Sequence, residues 1–391
     1  MGLLLLLGGS GFDVRSQLFA AGEAGAWYDP SDLSSMWQDA AGVTPVTATS
    51  DPVGLILDKS RSAPSMGANQ ITNGGFATDS DWTKGTGWSI GSGVATKAAG
   101  SAALLSQAQT MTAGRYYIVT YTITRSAGTI TPQFAGGSTV SGTARSSSGT
   151  YTDIMTAVSG NNTVQFSADA SFAGTVDNVS VKVLSAGNHA YQVTSGARPS
   201  LSISSGLSAL SFDGSDDFLV TNAINFSGTD KMTTFVGVRK LTDAAQGVIA
   251  ELTTGYGSST GSLALVASSN YAGTPGAFYL ALSRGSAGIS ASHVSIIDTV
   301  AAPSTNVLTS LDDIAGDSTI LRVNGTARPA GTGDKGSGNF ANAAFYIGRR
   351  GGASSPFNGL MYQCIIRGAA TSAASLASAE RFVATKCGVT I

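Results

Sequence analysis

Residues 209–220 read Ala-Leu-Ser-Phe-Asp-Gly-Ser-Asp-Asp-Phe-Leu-Val, and Phe345-Tyr346-Ile347-Gly348-Arg349-Arg350 and Phe357-Asn358-Gly359-Leu360-Met361-Tyr362-Gln363-Cys364-Ile365-Ile366 answer them near the end. This strand-turn-strand pattern brackets what reads as one β-sandwich. Between these phrases, β-prone runs place further strands at 233–240, 247–252, 262–267, 277–283, 293–298 and 319–324. Asn324-Gly325 follows Ile320-Leu321-Arg322-Val323 where a hairpin turn is expected. Residues 371–386 are helical in pattern, with Leu376, Phe382 and Val383 on one face and Gly388 placed to end the helix.

A chain of 391 residues suffices for two or three buried cores. Only 12% of residues are charged while 42% are apolar, so the glycine-, serine- and threonine-rich connections read as tight turns in a folded chain. A net charge of −2 with scattered lysines and arginines leaves no basic stripe, which argues against nucleic acid as a partner. Cys364 and Cys387 are too few for a disulfide framework or a zinc cage and read as buried thiols. The run Leu3–Leu7 is far shorter than the roughly 20 apolar residues of a membrane span, no positive residue precedes it, and Gly8-Gly9-Ser10-Gly11 follows too soon for a secretory signal. It reads either as a frayed terminus or as a peg that docks into another subunit.

The phrases of the last third resemble the concanavalin-like, laminin-G-type jelly roll, an architecture that implies binding and building more often than catalysis. Residues 27–60, from Trp27-Tyr28-Asp29-Pro30 to Leu57-Asp58-Lys59-Ser60, resemble the opening of laminin-G-like virion proteins of tailed bacteriophages. In those relatives the Leu57–Ser60 phrase runs almost directly into one like Gly187-Asn188-His189-Ala190 and an Arg198-Pro199 pair. Here roughly 120 residues intervene. They open on Asn73-Gly74-Gly75-Phe76 and close on Val176-Asp177-Asn178-Val179-Ser180-Val181, phrases similar to the family 4/9 carbohydrate-binding modules. Tyr116–Thr124 is strongly β-prone and Asn162–Ala168 alternates with period two, as a second sandwich requires. The expected architecture is therefore all-β: an extended docking segment at 1–60, a jelly roll at 69–184, and a second jelly roll at 185–391 that ends in a short helix. Jelly-roll termini commonly lie close together, so such a module can be spliced into a surface loop.

Catalysis finds little footing. The concanavalin-like glycan hydrolases place two glutamates on one strand face, and Glu23, Glu251 and Glu380 have no such spacing. The neighbours Asp216-Asp217 and Asp312-Asp313 would point to opposite faces of a strand. His189 and His293 lie about a hundred residues apart with no nucleophile elbow near either, so structural roles are expected. No catalytic residue and no cofactor is assigned. The resemblance leaves room for a calcium ion, with Asp213, Asp216 and Asp217 as the densest acidic group and Asp177 in the module's closing phrase. The competing reading makes Asp213-Gly214 a turn and Asp177 an acceptor for backbone amides.

Sugar recognition needs an aromatic platform beside polar groups. Trp82 and Trp88, flanking Gly85-Thr86-Gly87, are the first candidates against a core role, and Tyr256 and Tyr271 in glycine-rich loops are the second. Leu5, Trp27, Tyr28 and Trp37 are the docking candidates, because a segment of 60 residues is too short to bury such side chains alone. The sequence thus reads as a non-enzymatic phage virion protein at the particle exterior, with other virion proteins, its own copies and a host glycan as partners. A secreted or cell-surface bacterial lectin is the alternative, and a glycan depolymerase a more distant one.

Overall fold

The computed structural model describes residues 12–267, 276–286, 294–296 as backbone, and 300–391. Leu5, Tyr271 and His293 lie outside the described residues. The chain is all-β, built from antiparallel sheets with one longer helix near the C-terminus. It divides into two compact units: Met1–Met36, Val46–Arg61 and Ala190–Ile391 make the first, Trp37–Pro45 and Ser62–His189 the second.

In the first unit an eight-stranded sheet runs Ser200–Ser204, Leu207–Asp213, Asn358–Arg367, Lys231–Lys240, Ser304–Asp313, Ser318–Val323 and Thr326–Ala327, with Gly25–Tyr28 also paired to Asn358–Arg367. A nine-stranded sheet runs Met36–Trp37, Leu55–Ile56, Ala190–Tyr191, Leu219–Thr221, Phe345–Ile347, Gly247–Leu252, Ser262–Ala267, Tyr279–Arg284 and Val294–Ile296. The core between them includes Phe212, Leu219, Val236, Leu265, Leu308, Phe345 and Met361. Asn324 and Gly325 both take positive φ, 49° and 77°, and close the expected hairpin into Thr326–Ala327.

The outer face of the eight-stranded sheet is covered too. Helix α1, Val14–Leu18, and helix α2, Ala373–Cys387, pack there around Phe235, Val307, Tyr362 and Ile365. Ser372 caps α2 by accepting the Ser375 amide, and Gly388 ends it in the left-handed region at φ 70°. The helix buries Leu376, Ala379, Val383, Ala384 and Cys387, whereas Phe382, expected on that face, is only partly buried and stacks at its flank on Phe12 and Trp27. Both cysteines are free and buried.

Residues 12–36 and 46–61 are part of this unit rather than a separate docking segment. Gly25–Tyr28 is hydrogen-bonded to Cys364–Arg367, and alternation sends its neighbours to opposite covered faces. Tyr28 is wholly buried between the sheets. Trp27 faces α2, donates from Nε1 to Gln363 Oε1 at 3.0 Å, and is 8% exposed. These two aromatics are therefore packed within the chain itself. Trp37 is half-buried and bridges to Pro45 in the segment grouped with the second unit.

The second unit pairs a five-stranded sheet, Val140–Ser141, Ile130–Ala135, Thr163–Ala168, Ala103–Ala108 and Thr83–Lys84, with a six-stranded one. The latter runs Gly149–Thr156, Tyr116–Ala127, Ala173–Leu184, Val94–Lys97 and Trp88–Gly91, with Met66–Asn69 also on Ala173–Leu184. Between them lies an aromatic core of Phe76, Trp82, Trp88, Tyr117, Tyr121, Phe134, Phe166 and Phe172. No helix among the described residues is long and apolar enough to cross a membrane.

Candidate saccharide-binding face

Alternation decides which side chains of the five-stranded sheet meet solvent. In Thr163–Ala168 the residues Val164, Phe166 and Ala168 enter the core, so Thr163, Gln165 and Ser167 point out; in Ile130–Ala135 the outward set is Thr131, Gln133 and Ala135. Strand register then aligns one outward residue from each strand. Thr83 is opposite Ser106, Ser106 opposite Gln165, Gln165 opposite Gln133, and Gln133 opposite Ser141. This row of hydroxyls and amides crosses all five strands. Gln165 Nε2 donates to Gln133 Oε1 at 2.8 Å, and Gln133 Nε2 donates to Ser141 Oγ at 3.1 Å. Each amide keeps further donor and acceptor capacity, since a carboxamide offers two donors and two lone pairs. Exposed Leu104 stands beside the row, opposite Ser167, and supplies an apolar neighbour.

The sequence candidates fall elsewhere. Trp82 is 6% exposed, packs on Phe76 and Phe166, and donates its indole N–H to Asn73 O at 3.1 Å. Trp88 is 7% exposed and packs on Phe172. Both indoles fill the core beneath the sheets, so neither offers a stacking face. Tyr256 is half-buried; its hydroxyl accepts from Gln246, and its ring carries the Arg350 guanidinium 4.4 Å from the centroid.

Asp213, Asp216 and Asp217 do converge, with carboxylate oxygens within 4.8 Å of one another. Asp213 Oδ1 accepts the Ser215 amide at 2.7 Å and Asp217 Oδ2 accepts the Asp213 amide at 3.0 Å, the bonds of an acidic turn in which Gly214 takes φ 78°. Burial pushes the Asp217 carboxyl up to about 6, with the Asp213 and Asp216 charges adding to the rise. Three oxygens are half or fewer of the six to eight a calcium ion takes. A cleft of about 300 Å³ lies beside the turn, lined in part by Gly214, Thr242, Phe357 and Asn358. Asp177 accepts the Asn178 amide at 2.6 Å, the backbone role of the competing reading.

The three glutamates are engaged singly. Glu23 pairs with Arg367 at 2.6 Å, Glu380 with Arg322 at 2.6 Å, and buried Glu251 accepts the amides of Tyr256 and Gly351. His189 is fully buried, its Nε2 2.8 Å from Ser185 O and its ring edge-on to Tyr116.

The polar row was missed because it exists only in register: Gln133 and Gln165 are 32 positions apart and neither stands in a motif. The signal within reach was the period-two alternation, which names each strand's outward set without aligning the sets.

No family model matches the chain, and no curated protein does. Solved structures overlap with it in part. Trypanosoma rangeli sialidase gives a TM-score of 0.37 at 11% identity over 53% of this chain and 31% of that one. The Botulinum neurotoxin serotype G binding domain gives 0.34 at 10% identity over 48% of this chain and 47% of that one. The Ruminococcus gnavus IT-sialidase CBM40, bound to alpha2,6 sialyllactose, gives 0.29 at 14% identity over 39% of this chain and 83% of that one. The chain thus spans less than half the length of the sialidase and neurotoxin structures.

Proposed function

We propose that this is a non-enzymatic structural protein of a tailed-phage particle, holding a host saccharide on the five-stranded face of its second unit. The observation that carries the binding role is the register-matched row Thr83, Ser106, Gln165, Gln133 and Ser141. Sugar hydroxyls both donate and accept, and a line of carboxamides and hydroxyls answers them at the strand spacing of about 4.8 Å. No carboxylate stands in the row, so it is suited to hold a neutral saccharide and leave its bonds intact. The virion role is supported by the likeness of residues 27–60 to virion proteins, and contact with other virion proteins and further copies of the chain belongs to the same reading.

The test is a glycan array on the full chain, followed by titration and product analysis of each hit. With Gln133→Ala and Gln165→Ala together, affinity for a neutral hit should fall at least tenfold, while stability changes by no more than about 1 kcal/mol because the side chains face out. Undiminished binding by the double variant, or release of shortened oligosaccharides by the parent chain, would overturn the proposal.

A further inference from the structure

The outer face of the nine-stranded sheet in the first unit carries a second row of aligned side chains. Ala190, Leu219, Thr221, Phe345, Ile347, Ala250 and Leu252 are buried on the inner side, so their alternates Tyr191, Val220, Tyr346 and Glu251 point outward. Register places these four side by side on consecutive strands: Tyr191 opposite Val220, Val220 opposite Tyr346, Tyr346 opposite Glu251. Tyr191 and Tyr346 are half-buried, and two strands apart their rings are about 10 Å from each other at the usual strand spacing.

At the Glu251 end the row meets a guanidinium held in place from several sides. Arg350 lies with Cζ 4.4 Å from the Tyr256 ring centre, and its Nε is 4.0 Å from Glu251 Oε1. The Glu251 carboxylate, wholly buried, is fixed by the Tyr256 amide at 2.7 Å and the Gly351 amide at 2.9 Å, so one group anchors both loops that carry the stack. Glycines stand at 255 and 257 where a Cβ would come within 3.6 Å of Arg350 Nη2, and Arg284 Nη1 ties the loop down through Gly257 O at 2.9 Å. The Nη atoms of Arg350 donate to no described residue, and the side chain is 32% exposed. Much of the cost of ordering this arginine is met before any ligand arrives, and it presents the two-pronged edge that matches a carboxylate.

We infer that this face binds a carboxylate-bearing saccharide, with the Arg350 Nη pair on the carboxylate and Tyr346 under the sugar ring. A saccharide is favoured over an acidic peptide because Tyr191 and Tyr346 repeat along one row, offering apolar faces to successive rings. The inference stands apart from the amide row, which lies on the other unit and carries no charge.

The experiment compares oligogalacturonate and oligoglucuronate with their methyl esters, which keep the sugar and remove the charge, by calorimetric titration of the full chain. The acid form of at least one should bind at least tenfold more tightly than its ester, with the gap narrowing as salt rises. Arg350→Gln should abolish the gap, Arg350→Lys should restore part of it, and Tyr346→Leu should weaken acid and ester alike. In the Gln133→Ala, Gln165→Ala chain the tighter binding of the acid form and its loss with Arg350→Gln should both persist, whatever happens to the neutral ester, which separates this site from the amide row. Equal binding of acid and ester, a gap that survives Arg350→Gln, or no binding of either sugar by the folded parent would overturn the inference; so would tighter capture of a poly-glutamate peptide.

Discussion

At the scale of single residues, depth decides function more than identity does. Trp82 and Trp88 have the residue type a sugar platform needs, and the sequence leaves platform and core both open to them; the core between two sheets claims them. Trp82→Ala or Trp88→Ala should cost the second unit about 3–5 kcal/mol in denaturant unfolding, with any loss of glycan binding following loss of fold. The buried titratable groups make a second residue-level prediction. Burial drives His189 down to about 4 from 6.5, so the folded second unit holds fewer protons than the unfolded chain between those values and loses stability as pH falls through them, by at most about 3 kcal/mol. In the first unit burial raises Glu251 to about 7 and Asp312 and Asp217 to about 6, so folding there takes up protons and stability is lost as pH rises from about 4 to 7. Moving from pH 7 to pH 5 should therefore stabilise the first unit and destabilise the second, read as opposite changes in amide-exchange protection. His189→Gln should flatten only the second response; parallel movement of both units would refute the assignment.

At the scale of elements, what was legible followed from whether a segment has one exposed face. Helix α2 keeps one side wet, so its apolar period, its serine cap and its terminal glycine could be read, and the hairpin at Asn324-Gly325 announced itself by residue type. The strand Ser304–Asp313 could not be read, although it sits between two others in the eight-stranded sheet. Covered by α2 on one side and the second sheet on the other, it buries Thr309, Ser310 and Asp312 along with Val307 and Leu308, and shows neither alternation nor an apolar run. Hydroxyl bonds make the burial of Ser310 and Asp312 tolerable: Ser310 Oγ donates to Asp312 Oδ2 at 2.5 Å and Thr319 Oγ1 to Asp312 Oδ1 at 3.0 Å, whereas Thr309 Oγ1 finds no partner among the described residues. The fit of α2 to its sheet rests on Gly237, where a Cβ would lie 3.1 Å from Val383 Cγ1. Gly237→Val should lift the helix and lower the free energy of unfolding by more than the roughly 1 kcal/mol expected for removing the cap with Ser372→Ala. A smaller effect of the valine than of the uncapped helix would show the close approach to be unimportant.

At the scale of the whole molecule, the polypeptide leaves the first unit and returns to it through neighbouring strands of one sheet. Leu55–Ile56 is hydrogen-bonded to Ala190–Tyr191, with Ile56 opposite Ala190, so the exit and the re-entry are already side by side within the first unit. The second unit closes its own ends in the same manner, because the Ser185 amide donates to Ser65 O at 2.8 Å and Met66–Asn69 pairs with Ala173–Leu184. Each unit has its own apolar cluster. A chain in which Arg61 is joined to Ala190 by a short linker, with 37–45 shortened to a turn because that segment groups with the second unit, should keep the strand pairs of the first apart from the edge strand Met36–Trp37. The first unit includes the strand Gly25–Tyr28, so removal of residues 1–40 is a different matter: it takes away Tyr28 from the core and the partner of Cys364–Arg367, and should cost several kcal/mol. The two deletions thus give opposite expectations in one measurement. The Arg61–Ala190 chain should unfold in a single cooperative thermal transition within a few degrees of the first unit's own in the parent. The chain lacking 1–40 should lose that transition while the second unit's persists. Loss of cooperative unfolding in the Arg61–Ala190 chain would show that the first unit does not fold without the second.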